Sequence, residues 1–192
     1  PTLPSIAMRN RLRLGLELPS VTSAFDSVVE MARAAEESGF GIVWLREDPQ
    51  HRSGDPLPIA GALAMSTASV GIGVIASLTA GRHPAILARD VTTLDLVSNG
   101  RAALMLFGEE EDAVADAARI CHALFTADES TIDGVRYRVA GAVNRPPPRQ
   151  PGGPPVLVNL GVLGPPIVDG WVVEGGPDDV AQRRQRSEGV LL

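Results

Sequence analysis

The chain has 192 residues, enough for one domain with a sizeable core, and 44 % of them are hydrophobic. Lys and Arg number 17 against 23 Asp and Glu, a formal net charge of −6; a mildly acidic chain lacks the electrostatic footprint of a nucleic-acid binder. Cys121 is the one cysteine, which rules out an intrachain disulfide and a cysteine-based metal cluster, and His51, His83 and His122 lack short-range ligand spacing. The expectation is a protein without a metal, in a reducing, cytoplasmic setting.

Arg13 to Leu18 alternates as a strand does, and Pro19 ends it. Phe25, Val28, Val29, Ala32 and Ala35 recur at helical spacing, with Glu30, Arg33, Glu36 and Glu37 facing the other way. Gly39 then offers a positive-φ stop. Ile42-Val43-Trp44-Leu45 is a short, continuously apolar run, the pattern of a strand covered on both faces in a parallel sheet. A helix over 57–69 and a second apolar run over 70–76 follow. The uncharged stretch from Pro56 to Gly81 is long enough to span a bilayer. Its prolines, glycines and hydroxyl residues instead read as a buried helix followed by a buried strand. No apolar signal-peptide core separates the N-terminal arginines.

Pro84 suits a first helical turn, Asn99-Gly100 marks a turn, 102–107 reads as a strand and 109–125 as a helix. The first two-thirds is therefore β-α-β-α-β-α-β-α, which implies right-handed crossovers and a parallel sheet, as a closed barrel or an open one. Beyond Thr126 a hairpin is expected around Asp133-Gly134, then a Pro/Gly loop over 144–155, strands at 156–158 and 170–173, a helix over 177–186 and a last strand over 189–192. Only about ten residues separate the strands ending at 158 and starting at 170, too few for a crossover helix, so a parallel pair is not expected there.

Several of these segments together resemble one family. Ala34-Ala35-Glu36-Glu37-Ser38-Gly39-Phe40 with Trp44 looks like the first helix and second strand of the luciferase-like monooxygenases. Arg82-His83-Pro84-Ala85, Thr93-Leu94-Asp95 and Ser98-x-Gly100-Arg101 resemble that family's third unit. Tyr137 to Pro155 with Pro148-x-Gln150-Pro151 is similar to its extended segment before strand five, and Asp169-Gly170-Trp171 and Gly176-Pro177-Asp178-Asp179-Val180 to its late signatures. The resemblance implies a single domain over 1–192 with a TIM-barrel-like (β/α) fold. The barrel would be shortened or incomplete, because a generic one takes about 250 residues and Gly108 runs directly into a helix where the family carries an insertion.

In such a barrel the site lies at the C-terminal ends of the strands. Those ends are Leu18, Arg46-Glu47-Asp48, Ser77-Leu78-Thr79, Phe107-Gly108, Asn159 and Glu174. The resemblance places the ring of FMN or of the deazaflavin coenzyme F-420 there, against a strained peptide at Ser77-Leu78. The candidate cofactor residues are Ser77, Leu78, Thr79 and Gly108, with Gly176 at a helix start suited to an anion. Each has a plainer reading: a strand-end turn for the first four, and for Gly176 a helix start that Asp178 and Asp179 already complement.

Deazaflavin-dependent members carry Asp-His after strand two, whereas Arg46-Glu47-Asp48-Pro49 stands here. His51 is a substitute by proximity, Glu47 a proton carrier if burial raises its pKa, and the plain reading of Glu47 is a solvated side chain. Cys121 and His122 read as core and surface within a helix. Three functions follow: a flavin- or deazaflavin-dependent oxidoreductase or monooxygenase of unknown substrate; a non-catalytic flavin-binding or partner-subunit relative; and, from the β-α pattern alone, an unrelated binding module. A homodimer is expected, covering the apolar segment 59–74 through the small residues Ala60, Gly61, Ala64 and Ala68.

Overall fold

The computed structural model describes residues 14–20, 25–50, 52–159 and 170–172. Six strands form one sheet in the order β1 (Gly15–Glu17), β2 (Ile42–Arg46), β3 (Gly71–Ser77), β4 (Ala102–Phe107), β7 (Val156–Asn159), β8 (Gly170–Val172). Every neighbouring pair in it is parallel. Helices α1 (Phe25–Glu37), α2 (Pro56–Ser66) and α3 (Pro84–Val97) connect β1 to β4 in sequence, and α4 (Glu111–Thr126) leads out of β4. This is the α/β architecture of a barrel wall, and among the described residues the wall does not close.

The strands separate two apolar layers. Val43, Leu45, Ile72, Val74, Leu104, Leu106, Val156 and Val158 pack with the inward faces of the helices. Trp44, Ile75, Ala103, Met105 and Leu157 form a second cluster, with Ile42 packed against it. Alternate residues of one strand thus fall in opposite layers, as the pleat requires, and apolar demand on both sides is why β2, β3 and β4 read as unbroken hydrophobic runs. Gly15 and Gly73 make room for Trp44: a Cβ at Gly73 would overlap the indole ring, and one at Gly15 would stand 2.8 Å from its Nε1.

Local chemistry sets the helix limits. Asp55 caps α2 by accepting from the Leu57 N–H at 3.0 Å, and the His83 ring accepts from the Ala85 N–H ahead of Pro84 in α3. Asn99 and Gly100, with φ of 62° and 82°, make the turn into β4. The expected helix over 57–69 stops at Ser66 because residues 68–70 are drawn elsewhere. Glu36 accepts from the N–H groups of Ala68, Ser69 and Val70, and Arg101 donates to the carbonyls of Ala64, Thr67 and Val70. Helix α2 is buried on one side only; Ala60 and Ala64 face the core, while Met65 is 76 % exposed.

The hairpin is present as β5 (Ser130–Asp133) against β6 (Arg138–Ala142), a separate antiparallel pair with a bulge. Its turn sits over Asp116 of α4, whose carboxylate accepts from the Arg136 and Tyr137 N–H groups at 2.7 and 3.2 Å. One expectation is overturned: β7 and β8 are parallel, with Leu157 opposite Gly170 and Asn159 opposite Val172. A crossover need only return the chain past strands of four and three residues. At about 3.3 Å per extended residue, some ten residues are long enough for that return. The expected helix over 177–186 and strand over 189–192 lie outside the described residues.

Candidate functional site

All described strands of the large sheet point the same way, so their C-terminal ends share one edge. On the Trp44 side of the sheet that edge carries Glu17, Arg46, Ser77 and Phe107. Their order follows from register: Arg46 stands opposite Ile75, and Ser77 opposite Phe107. Arg46 holds Glu17 with two bonds, Nε to Oε1 at 2.7 Å and Nη2 to Oε2 at 2.8 Å. Its guanidinium also lies 5.6 Å from the centroid of the Phe107 ring, within cation–π range. Phe107 is 36 % exposed, a large aromatic surface left at the strand ends.

The structure brings four of the five candidate cofactor residues together. Residues Leu78–Ala80 form a single 3-10 turn leaving β3. The Ser77 and Thr79 hydroxyls are 2.8 Å apart and hydrogen-bonded. Leu78 turns into the helix-side core instead of toward the edge. A Cβ at Gly108 would stand 3.4 Å from Leu78 Cδ1 and 3.2 Å from Val114 Cγ2. A side chain at Gly108 would thus be tight against Leu78 and Val114 in the turn before α4, in keeping with the plainer reading of a strand-to-helix turn. The strain implied at Ser77-Leu78 does not show at Ser77, whose backbone is ordinary extended, φ −86° and ψ 119°. Gly176, Glu174 and His51 lie outside the described residues.

Glu47 corrects the expectation of a solvated side chain, being 7 % exposed. Its backbone continues the β2–β3 ladder by donating to the Ile75 carbonyl. The side chain then folds over the end of β3, where Oε2 accepts from the Ser77 N–H at 2.9 Å and Oε1 from Arg82 Nη2 at 3.2 Å. Arg82 reaches Asp55 at 2.8 Å and Asp90 at 3.4 Å as well. Burial works against the Arg82 charge, but the carboxylates of Asp55 and Glu47 outweigh it and raise its pKa. With both oxygens engaged, Glu47 is held as an acceptor. Local spacing gives no signal for this, because its partners lie 30 and 35 positions away.

Asp48, in the Arg46-Glu47-Asp48-Pro49 segment after β2, is used locally. It accepts from the Gln50 N–H at 2.9 Å, from the Arg52 N–H at 3.1 Å and from Arg52 Nε at 3.2 Å. The Gln50 bond leads the causes that lower its pKa, against a smaller desolvation effect. Beside it a cleft of about 400 Å³ opens between Glu47, Asp48, Asp55, Pro56, Gly81 and Arg82. Cys121 is fully buried, and burial pushes its thiol up to about 12, which removes it as a nucleophile.

A parallel sheet with helical crossovers and a strand-end edge is common to many enzymes; the sequence profile decides among them. The profile described as luciferase-like monooxygenase matches residues 6–169. The chain belongs to that family. A 5,10-methylenetetrahydromethanopterin reductase of Methanolobus tindarius is 32 % identical over 115 residues, which is 59 % of this chain and 34 % of that protein. The coenzyme F420 dependent tetrahydromethanopterin reductase of Methanopyrus kandleri superposes with a TM-score of 0.71 at 16 % identity, covering 77 % of this chain and 50 % of that one. A riboflavin lyase structure with modified FMN and riboflavin superposes with a TM-score of 0.74 at 16 % identity, covering 92 % and 57 %. These structural likenesses establish the shared fold. The chain spans between about a third and somewhat over half of the relatives it matches. Among the described residues no helix is long and apolar enough to cross a membrane.

The strand-end edge fits the ring of a flavin or deazaflavin better than it fits the phosphate. An exposed phenyl ring and the hydroxyls of Ser77 and Thr79 suit a flat heteroaromatic group. Both arginines at the edge, Arg46 and Arg82, are already paired with carboxylates. A phosphate anchor therefore does not stand among the described side chains at this edge.

Proposed function

We propose that the chain is an FMN- or coenzyme F420-dependent oxidoreductase or monooxygenase of the luciferase-like family, with the cofactor ring over Ser77, Leu78, Thr79 and Gly108. The observation that carries this reading is the convergence of the β3 turn, Phe107 and the Arg46–Glu17 pair on one edge of a sheet whose family uses that edge. When bound, the cofactor supplies hydride or oxygen chemistry. The chain's residues supply a backing turn, an aromatic face and, through Leu78 and Gly108, a tightly packed floor. Gly176 is the proposed start of the phosphate site. The setting is cytoplasmic, in keeping with a lone, buried thiol.

Titration of the purified chain with FMN and, separately, coenzyme F420 tests the proposal by ring fluorescence and absorption. Quenching at micromolar cofactor supports it; no change at high micromolar concentration of either overturns it. A specific observation favours a second reading, a non-catalytic flavin-binding or partner subunit. No His stands in the Arg46-Glu47-Asp48-Pro49 segment, and the Asp48 carboxylate there is committed to the 50–52 loop. Binding without oxidation of any offered alcohol or reduced pterin, or oxygenation of any offered ketone, would mark that case.

The proposed assembly is a homodimer; Ala60 and Ala64, two of the small residues expected at its seam, face the core instead, which leaves the outer sides of α2 and α3 for pairing. Met65, Ile86, Leu96 and Val97 are exposed on these helices at 76, 42, 38 and 45 %. A stable pair would bury roughly 1,600 Å² in total. Light scattering at micromolar concentration is expected to give twice the 20.1 kDa of one chain; a mass of one chain overturns it.

A further inference from the structure

Glu47 is a buried carboxylate that the functional reading above does not use. Its environment is built: one oxygen on a backbone N–H, the other on an arginine that two further carboxylates hold. The N–H it takes is that of Ser77, the residue where β3 ends and the turn bearing Thr79 begins. The Ser77 amide is thus spoken for by the protein and is not offered to a ligand. The turn is pinned at three points: the amide by Glu47, the Ser77 hydroxyl by Thr79, and the intervening Leu78 side chain by its burial in the helix-side core beside Gly108. Two of those pins are local, side-chain packing and a partly buried hydrogen bond within the turn itself. The third joins the end of β2 to the end of β3 across the site edge and ties both to α2 and α3 through Arg82.

We infer that Glu47 is the positioning residue of the cofactor buttress, fixing the Ser77–Thr79 turn in the shape on which a flavin or deazaflavin ring lies. This rests on the cofactor reading proposed above. What the site needs from this residue is reach and an acceptor oxygen, not charge. A carboxylate one methylene shorter cannot span from the β2 end to the Ser77 amide. A glutamine of equal length still accepts from the Ser77 N–H through its one oxygen, while its NH2 group gives up the bond from Arg82.

The test compares Glu47→Gln, Glu47→Asp and Glu47→Ala in the full chain, with thermal melting to confirm folding. Without cofactor, the Ser77 amide is read by hydrogen exchange and its proton shift. Exchange is expected to stay within about threefold of wild type in Glu47→Gln and to quicken about tenfold or more in Glu47→Asp and Glu47→Ala. Titration with FMN and with coenzyme F420 is expected to follow the same order, glutamine restoring binding and aspartate not, with the absorption band of the bound ring displaced only in the aspartate and alanine variants. A charge-only role would give the reverse order and overturn the inference. Equal exchange and equal ring spectra in all variants would overturn it too. A wild-type chain that binds neither cofactor sinks the functional reading and this one with it, whereas a wild-type chain that binds, with Glu47→Asp binding equally, sinks this inference alone.

Discussion

Asp95 of α3 and Gln150 of the Pro-rich loop are joined by two hydrogen bonds across 55 positions of sequence. Gln150 Nε2 donates to Asp95 Oδ1 at 2.7 Å, and the Gln150 N–H donates to Oδ2 at 3.0 Å. The Arg149 N–H adds a third bond, to Oδ2 at 2.7 Å, and Gln150 Nε2 also reaches the Ala102 carbonyl at the start of β4. This clamp delivers the chain from the hairpin to β7, whose pairing with β4 extends the sheet. Asp95 is 0 % exposed.

Asp95→Ala removes the acceptor of three donors at a site closed to solvent. A loss of about 3 kcal/mol is expected, the scale of breaking a buried, charge-assisted network. Urea unfolding followed by far-UV circular dichroism measures it. A midpoint unchanged within error would show that Gln150 and Arg149 find other partners.

Gly73→Ala is expected to destabilise by about 1–3 kcal/mol through overpacking against Trp44. A methyl group at Gly73 overlaps the indole ring, which is itself only 8 % exposed and packed beside the site edge. Trp44 must leave its place, so its fluorescence maximum should move to longer wavelength. Retained stability with an unmoved emission band would contradict the packing described for the Trp44 cluster.

Glu36 gives a pH signature. Burial pushes its pKa up, but the N–H groups of Ser69, Val70 and Ala68 and the Ser69 hydroxyl together pull it down to about 2 from 4.5. A folded-state pKa below the unfolded value means stability that is present above about 4.5 and lost as pH falls toward 2. Melting temperature against pH between 2 and 6 should fall more steeply in wild type than in Glu36→Gln. Parallel curves would show that the side chain does not hold the 68–70 segment in solution. Because this carboxylate is near the surface, the effect should also shrink in high salt.

The helices, the first four strands and the hairpin were legible because each has a local cause. Apolar residues at helical spacing bury one face of α1, and unbroken apolar runs mark β2, β3 and β4. Pro84 and Asn99-Gly100 punctuate the third unit where the structure begins and ends α3. The family motifs also had local bases that proved structural: His83 caps, Ser98 caps, and Asp95 and Gln150, quoted in separate motifs, meet each other. The β7–β8 pairing was misread because a helix was taken as the only possible crossover, although strands this short need less.

Composition and hydrophobic period by themselves determined the α/β class, the parallel wall and the edge on which Ser77, Thr79 and Gly108 stand. Burial repeats with the backbone, so it is written in neighbouring residues. Only the tertiary structure decided what the carboxylates do. Nothing in the residues beside Glu36, Glu47, Asp95 and Asp116 names their partners. Each accepts backbone N–H groups 20 to 55 positions away. A hydrogen bond needs an acceptor within about 3 Å of its donor. Which distant amide arrives there is fixed by strand register and helix packing, quantities that no local pattern of residues encodes.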